Sequence, residues 1–596
     1  MSATDTARRS MLAGAMVASM IGGGLSAQPG PETAGRPNVL MIVADDMGWG
    51  DVRSHGNGLI DTPTLDYLAG SGARFDRFYV SPVCSLTRAS LLTGRYHPRT
   101  GVYGVTRGQE TMRAEETTLA ELFRAAGYAT GAYGKWHNGA HYPNHPNGQG
   151  FDQFFGFTGG HLNNYTDATL QHNGKAVKTS GYISDVLTEE AIAFMRANSS
   201  RPFLCYVPFN APHSPLQVPE RWFTKYQRRG LSDADAAVYG MVENIDYNVS
   251  RMLAVLDELE VAERTIVVFV SDNGANTDRY DGFMRGEKGS LDEGGMRVPL
   301  FIRYPRGIAP GTMVTPIASH IDLLPTLAEL CGVVGVGELK LDGTSLVPLL
   351  ERSAEQWPER MLFDHWGGLE PSGGTVRTER WRAVFRDNWE LYDMLADPRQ
   401  ERDVAERYPW ALDRLSWSYM QWFGEVTAAG FEPVATELGH ERMPVVELPA
   451  TEAVLGPGRD AGIGFSQPQG WANDWIANWT EPTARASWPV RIVRPGRYRV
   501  TLLYAAEADQ VGTRLRIEIG DRALGVTVDK AHEGARVESA DRVERVEVYE
   551  RVWGELAAGE VRLEPGGGTV QLVLRAVEKT GARLPEIKAV RVELLP

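Results

Sequence analysis

Six apolar residues and two carboxylates form the stretch Val39-Leu40-Met41-Ile42-Val43-Ala44-Asp45-Asp46. Because the apolar residues do not alternate with polar ones, the stretch predicts a strand buried on both faces, as in a parallel sheet. An open α/β sheet binds its ligands at the carboxyl ends of its strands. Asp45 and Asp46 therefore mark the edge of the sheet where a site is expected.

Short apolar runs alternate with helical patterns on both sides of this stretch. Further strands are predicted at 130–133, 203–208, 265–271 and 299–304. Helices are predicted at 62–71, 117–126, 182–197, 238–259 and 320–331. This alternation indicates an α/β fold, a large α/β sandwich around a mixed, mostly parallel central sheet. Antiparallel strands within 376–394 and a helix at 400–428 then predict a small antiparallel α+β subdomain.

The composition changes near residue 440, where prolines and glycines suggest a linker. Period-2 runs follow at 498–504, 514–519, 543–553, 570–574 and 587–595. These short strands predict a C-terminal all-β sandwich of roughly 150 residues. Four tryptophans in its first part, Trp471, Trp475, Trp479 and Trp488, suit either a carbohydrate-binding surface or a structural core, since aromatic residues serve both.

The N-terminus has the features of an export signal. Arg8-Arg9 precedes an apolar run from Met11 to Ile21, and small residues continue to Ala27. Arg8-Arg9-Ser10-Met11-Leu12 resembles a twin-arginine signal, with the general secretory route and a membrane anchor as alternatives. The apolar run is short for a bilayer span. We therefore expect a periplasmic or secreted protein without a stable membrane span after signal cleavage.

Charge and cysteine content narrow the function further. The 61 basic and 76 acidic residues give a net charge of −15, which argues against general nucleic-acid binding. The three cysteines, Cys84, Cys205 and Cys331, form no disulfide framework. Cys205 lies in an apolar strand and Cys331 near a helix end, so both are interpreted as core residues.

Cys84 is different, because it lies in the segment Pro82-Val83-Cys84-Ser85-Leu86-Thr87-Arg88-Ala89-Ser90-Leu91-Leu92-Thr93-Gly94-Arg95. If 85–93 is helical, Cys84 and Arg88 share one side of the first turn. The helix N-terminus and the guanidinium then favour a tetrahedral oxyanion. An isolated C-x-x-x-R pattern is more often a buried cysteine beside a surface arginine.

Other strand ends carry polar groups as well. Asp272 and Asn273 follow the strand 265–271, and with Asp45 and Asp46 they offer the oxygen ligands that Ca²⁺ prefers. By itself Asp-Asn-Gly is an ordinary turn. Strand ends also bear the three groups Lys135, His137 and His213, and a Gly-rich loop, 285–297, carries Lys288.

Together these motifs resemble the type I, formylglycine-dependent sulfatase family of the alkaline phosphatase superfamily, over about residues 36 to 430. In that family the segment C/S-x-P/A-x-R is followed by x-S-L-L-T-G, and a maturation enzyme oxidises the cysteine to formylglycine (3-oxoalanine). Leu86 departs from the pattern, which has Pro or Ala at that position.

The resemblance implies hydrolysis of sulfate esters, on an aryl sulfate or a sulfated saccharide. It implies a Ca²⁺ ion and one set of metal ligands: Asp45, Asp46, the modified Cys84, Asp272 and Asn273. It also implies the catalytic groups Cys84, Arg88, Lys135, His137, His213 and Lys288. Two alternatives stay open: a phosphodiesterase or phosphonate hydrolase of the same superfamily, and a non-catalytic glycan-binding homologue in which Leu86 prevents maturation.

The predicted organisation divides the chain into six parts. They are an export signal (1–27), a linker (28–37), a catalytic domain (38–370), a small α+β subdomain (371–435), a second linker (436–455) and a β-sandwich (456–596). A sandwich that only targets the enzyme to glycan would be dispensable for hydrolysis, whereas a structural cap would be required for a soluble protein.

Overall fold

A computed structural model describes residues 35–352, 357–458 and 461–596. The predicted export signal and most of the linker 28–37 lie outside this range. Across these three segments, every helix is too short or too polar to cross a bilayer.

A ten-stranded sheet forms the centre of the molecule and confirms the predicted α/β class. Its strands, in spatial order, are Thr312–Val314, Ala73–Phe75, Leu300–Arg303, Thr265–Ser271, Asn38–Asp45, Phe203–Pro212, Ala129–Lys135, Gln153–Phe157, Thr169–His172 and Lys175–Lys178. The five strands from Thr265–Ser271 to Gln153–Phe157 run parallel, while antiparallel pairs lie toward both edges. The sheet is therefore mixed with a parallel centre.

Both faces of this sheet are buried, which explains the unbroken apolar stretch at 39–44. Leu40, Ile42 and Ala44 pack into the core on one face, whereas Val39 and Met41 pack into the core on the other. Helices cover the two faces. The α-helices of the described chain are Pro63–Ser71, Cys84–Thr93, Leu119–Ala125, Ile183–Ala197, Glu220–Gln227, Asp233–Glu258, Glu293–Met296, Leu323–Leu330, Val347–Leu350 and Pro409–Val426.

Two smaller sheets adjoin this sandwich. One has three short strands, Arg297–Val298, Phe78–Tyr79 and Ala318–Ser319. The other is the predicted small antiparallel sheet, with strands Leu362–His365, Gly374–Arg377, Trp381–Phe385 and Trp389–Asp393. The helix Pro409–Val426 packs on this sheet through a shared apolar cluster. Because the sheet begins at Leu362, it extends beyond the boundary expected at residue 371.

The C-terminal region contains two β-sheets around one apolar core, as expected for an all-β sandwich. The first sheet contains Thr436–Leu438, Val454–Gly456, Arg485–Ile492, Arg514–Ile519, Arg522–Thr527 and Val570–Glu578. The second contains Val445–Pro449, Gly464–Phe465, Ile476–Ala477, Gly496–Ala505, Gly554–Leu563 and Glu586–Leu594.

Two predictions about this region are wrong. Residues 436–455 are not a linker, because the strands Thr436–Leu438 and Val445–Pro449 pair with Arg485–Ile492 and Glu586–Leu594. Residues 543–553 are not a strand, although Arg551 makes one isolated bridge to Arg536. This segment instead contacts the central domain, for example through Arg545, as described below.

The tryptophans of the C-terminal region lie mainly inside it. Trp475, Trp479 and Trp488 are buried in its apolar core. Trp471 retains 36% of its surface exposed. Three of the four rings therefore have a structural role, and only Trp471 offers a face to a ligand.

Candidate active site

The parallel centre of the sheet brings the predicted site residues to one edge. Four neighbouring strands end side by side there, at Ser271, Asp45, Pro212 and Lys135. Asp272 and His213 directly follow two of these strand ends. Residues that are far apart in sequence thus converge because parallel strands share the direction of their carboxyl ends.

Four oxygen-bearing side chains form the base of the site. The Asn273 amide donates to Asp46 Oδ1 at 2.8 Å, and the Asp46 backbone N–H donates to Asp272 Oδ1 at 3.2 Å. Asp46 has φ +67°, in the left-handed region that non-glycine residues seldom adopt, which is consistent with a functional constraint. All four side chains are buried: Asp45, Asp46, Asp272 and Asn273.

This oxygen set fits a divalent cation. Asp45 Oδ1 and Asn273 Oδ1 are buried and have no hydrogen-bond partner among the described residues. Cys84 Sγ and one carboxylate oxygen each of Asp45 and Asp272 lie within 4.8 Å of one another. Carboxylate and amide oxygens are the donors that hard cations such as Ca²⁺ prefer. The residues present therefore suit the metal that the resemblance implies.

Two lysines and Arg88 form ion pairs with these carboxylates. Lys135 Nζ lies 2.7 Å from Asp45 Oδ2, and Lys288 Nζ lies 2.7 Å from Asp46 Oδ1. Burial alone would raise the pKa of Asp46, but Lys288 and His213 hold it below the ordinary value. Lys288 reaches the site because its loop is hydrogen-bonded to the Pro82 carbonyl through Gly289 N–H, at 2.8 Å.

Arg88 is enclosed by its partners. Its Nε donates to Asp272 Oδ2 at 2.9 Å, and its Nη1 donates to the Lys135 carbonyl at 2.7 Å. Its Nη2 lies 2.8 Å from the same Asp272 oxygen. The guanidinium is fully buried, and its contacts hold Asp272 and the end of the strand Ala129–Lys135.

Cys84 is the first residue of the buried helix Cys84–Thr93, with Val83 in extended conformation before it. This confirms the predicted helix and places Arg88 one turn further on. Burial raises the pKa of the Cys84 thiol, with Lys135 and Lys288 acting in the opposite direction. Burial therefore disfavours the thiolate form of an unmodified Cys84 in the metal-free protein.

The two predicted histidines follow the ends of adjacent strands, Ala129–Lys135 and Phe203–Pro212. His137 Nε2 is 2.9 Å from the Val105 carbonyl, and its buried Nδ1 contacts no hydrogen-bonding group within the described segments. A proton on Nε2 therefore leaves Nδ1 as a free acceptor. His213 Nδ1 is 2.5 Å from the Ser214 carbonyl, whereas its Nε2 is 3.8 Å from Asp46 Oδ2.

Two further site residues were missed by sequence reasoning. One nitrogen each of His161 and His213 and one oxygen of Glu547 lie within 4.8 Å of one another. His161 follows the strand Gln153–Phe157, so the strand-end rule that found His213 would also have found it. Glu547 belongs to the C-terminal β region, and no sequence motif connects it with this edge of the sheet.

Comparisons with known proteins identify the family of the chain. The sulfatase family model matches residues 37–333, and the model for the C-terminal part of N-sulphoglucosamine sulphohydrolase matches residues 286–411. Steryl-sulfatase of Mus musculus is 31% identical over 457 residues, which cover 60% of this chain and 72% of that protein. Arylsulfatase A of Homo sapiens is 33% identical over 417 residues, covering 63% and 80% of the two chains.

A solved structure also superimposes on the chain. The structure of Ps i-CgsB in complex with k-i-k-neocarrahexaose has a TM-score of 0.62 and 29% sequence identity, and the match covers 67% of this chain and 95% of that one. The predicted resemblance is therefore confirmed. The chain belongs to the sulfatase family of the alkaline phosphatase superfamily, and it is a sulfuric ester hydrolase.

Proposed function

We propose that the protein hydrolyses sulfate esters of saccharides, with formylglycine formed from Cys84 and a bound Ca²⁺ ion. The observation that carries this proposal is the placement of Cys84. Cys84 is the first residue of a helix, and its sulfur lies within 4.8 Å of oxygens of Asp45 and Asp272. Basic side chains, Lys135 among them, surround this group. The oligosaccharide complex of the related Ps i-CgsB supports a saccharide as the substrate.

The proposed metal ligands are the modified Cys84 side chain, Asp45, Asp46, Asp272 and Asn273. When both groups are bound, they supply a nucleophilic hydroxyl of the hydrated aldehyde and a Lewis acid for a sulfuryl oxygen. A maturation enzyme is the partner that this modification requires. The export signal predicted in residues 1–27 would place the mature enzyme in the periplasm or outside the cell.

The basic groups bind the sulfate in this proposal. Lys135 and Lys288 extend toward the carboxylates from two sides, so their ammonium groups can share the charge of an ester bound between them. Arg88, which the resemblance places among the catalytic groups, holds Asp272 through Nε and the Lys135 carbonyl through Nη1. Its buried Nη2 makes no hydrogen bond among the described residues, so it can also donate to the bound ester.

The two histidines move protons in this proposal. His137 would accept, at Nδ1, a proton from a hydroxyl of the hydrated aldehyde at position 84, since Nε2 is occupied by the Val105 carbonyl. His213 donates a proton from Nε2 to the leaving alcohol, since Nδ1 is held by the Ser214 carbonyl. Burial and then Lys288 lower the pKa of His213, while Asp46 opposes them. An anionic ester beside the ring favours its protonated form.

A comparison of kcat/KM between substrates tests the proposal. The purified protein should release sulfate from sulfated oligosaccharides with kcat/KM about tenfold or more above that for 4-nitrophenyl sulfate, because saccharide contacts add binding in the transition state. Chelation should abolish turnover, and Ca²⁺ should restore it. Faster hydrolysis of bis(4-nitrophenyl) phosphate than of any sulfate ester, or full activity after chelation, would contradict it.

A further inference from the structure

The segment 538–550 of the C-terminal region is docked beside the active site. Arg545 is buried, and its guanidinium donates to both the side-chain and the backbone oxygen of Asn163, each at 2.9 Å. Arg545 is in turn paired with Asp541 at 2.7 Å. The Glu550 backbone N–H donates to Asn163 Oδ1 at 3.0 Å. These contacts fix the loop that carries His161, two residues before Asn163.

A second group of contacts fixes the loop that carries His213. Gln217 Nε2 donates to Ser539 Oγ at 2.8 Å and to Asp541 Oδ1 at 2.7 Å. The Arg542 backbone N–H donates to the Leu216 carbonyl at 2.9 Å. The docked segment is thus hydrogen-bonded to both loops that supply histidines to the site.

Glu547 lies at the point where these two loops meet. Its carboxylate accepts a short hydrogen bond from Ser214 Oγ and lies within 4.8 Å of nitrogens of His161 and His213. Both ring nitrogens of His161 are buried and unpaired in the described part of the chain. Glu547 therefore places a negative charge beside both histidines.

Ser214 connects Glu547 to the orientation of His213. The Ser214 carbonyl receives the His213 Nδ1–H at 2.5 Å and the Tyr165 hydroxyl at 2.8 Å. The Ser214 hydroxyl is held by Glu547, so both ends of the residue are fixed. The opposite ring nitrogen, His213 Nε2, then faces Asp46 and the proposed sulfate position.

We propose that Glu547 is a positioning residue for His213, so that the C-terminal β region forms part of the active site. The inference rests on the proposed role of His213 as the proton donor to the leaving alcohol. Without Glu547, Ser214 loses its side-chain anchor, and the imidazole samples orientations that do not reach the leaving oxygen. The rate of hydrolysis should then fall most for esters whose leaving alcohol has a high pKa, because such a leaving group depends most on protonation.

A series of substituted phenyl sulfates tests this inference. Glu547→Gln should lower kcat/KM for phenyl sulfate roughly tenfold to 100-fold, a part of the roughly 10²- to 10⁴-fold that general acid catalysis contributes, and should lower it much less for 4-nitrophenyl sulfate. The dependence on leaving-group pKa therefore becomes steeper. Ser214→Ala should show the same signature. Glu544→Gln removes an exposed carboxylate from the same segment and should match the wild type.

A double-mutant cycle separates positioning from a structural role. If Glu547 acts through His213, Glu547→Gln should cause almost no further loss in a His213→Ala background. Equal losses across the phenyl sulfate series, or additive losses in the double mutant, would overturn the inference. Circular dichroism melting of each variant checks the fold, and Ser214→Ala provides the test if Glu547→Gln unfolds.

The mass of the Cys84 peptide is measured in every variant. A lower aldehyde fraction identifies lost maturation, and rates are compared per aldehyde. A wild-type protein that hydrolyses no sulfate ester contradicts the proposed function instead. A wild type that is active, with the same leaving-group dependence in wild type and Glu547→Gln, contradicts only the inference about Glu547.

Discussion

Asp272 joins the proposed metal ligands to the basic groups of the site, since Arg88 donates to one of its oxygens and the Asp46 N–H donates to the other. Burial, and then the neighbouring Asp45 carboxylate, raise the pKa of Asp272 to about 7 in the metal-free protein. A proton therefore competes with a cation at this carboxylate near neutral pH.

This competition predicts a pH-dependent affinity for calcium. Below pH 7 the bound proton must leave first, so Ca²⁺ affinity should fall by up to about tenfold per pH unit, and above pH 7 it should level off. Isothermal titration of the chelator-treated protein between pH 5.5 and 8.5, chosen to bracket this value, measures it.

Asp272→Asn should bind Ca²⁺ weakly at every pH. Wild-type affinity or full activity in this variant would exclude Asp272 as a ligand.

Leu86 is the residue at which the chain departs from the family pattern, and the structure adds a constraint there. As the third residue of its helix, it precedes the first backbone hydrogen bond, from Thr87 N–H to the Val83 carbonyl. A proline at 86 therefore removes no bond of the helix. The leucine side chain, however, is fully buried in the core.

Leu86→Pro should raise the fraction of Cys84 converted to aldehyde, because proline keeps the preceding residue extended in the unfolded chain that the maturation enzyme meets. The same variant should lose about 2–5 kcal/mol of stability through the missing side chain. Leu86→Ala is the matched control for that packing loss. Peptide mass and thermal unfolding measure both effects. Complete conversion of the wild type would show that Leu86 has no effect on maturation.

At the scale of secondary structure elements, one short helix anchors the loop that carries Lys288. Glu293, in the helix Glu293–Met296, is buried and pairs with Arg377 and Arg382 of the small antiparallel sheet. The Tyr79 hydroxyl donates to the same carboxylate at 3.1 Å. The loop is thereby fixed to two sheets at once.

Breaking this anchor should destabilise the protein. Glu293→Ala leaves two buried guanidinium groups without their partner, so we expect a loss of about 3–5 kcal/mol. Denaturant unfolding measures it. Arg380→Ala removes an exposed arginine from a turn between two strands of the same sheet and should change stability by less than about 1 kcal/mol. Equal stability of Glu293→Ala and the wild type would refute the anchoring role.

How much of these elements was predictable depends on where their contacts lie. The strand Thr265–Ser271 has the predicted bounds because its apolar run is self-contained. The helix predicted at 400–428 begins only at Pro409, since proline is suited to a first turn. The predicted strand at 543–553 fails because residues such as Arg545 are held by distant loops rather than by a β-ladder.

The same reason explains what was missed in the site. Four site residues follow apolar runs of sequence: Asp45, Asp272, Lys135 and His213. Local sequence patterns were therefore enough to predict that they converge. Glu547 lies 333 residues from Ser214, its hydrogen-bond partner, and nothing local marks it. Docking between two domains is visible only in the folded chain.

At the scale of the whole molecule, the central domain and the C-terminal region share buried surface. Tyr142 of the central domain belongs to the apolar core of the C-terminal sandwich. Arg542 of the C-terminal region stacks over Phe223 and pairs with Glu220 at 2.9 Å. These contacts favour the structural-cap interpretation over that of a separate targeting module.

Deletion of residues 445–596 should therefore yield insoluble protein or protein without activity on phenyl sulfate, because it exposes apolar surface and frees both histidine loops. Solubility and aryl sulfatase rate, compared with those of the full chain, measure this outcome. A truncated protein with wild-type activity would show that the C-terminal region only binds ligands.

The central claim is that Cys84 becomes the formylglycine nucleophile of a sulfate ester hydrolase. The most direct measurement is the mass of the tryptic peptide containing Cys84, taken from protein whose sulfatase rate is known. We predict an aldehyde at Cys84, with a rate proportional to its fraction. An unmodified thiol in protein that still hydrolyses sulfate esters at full rate would contradict the claim.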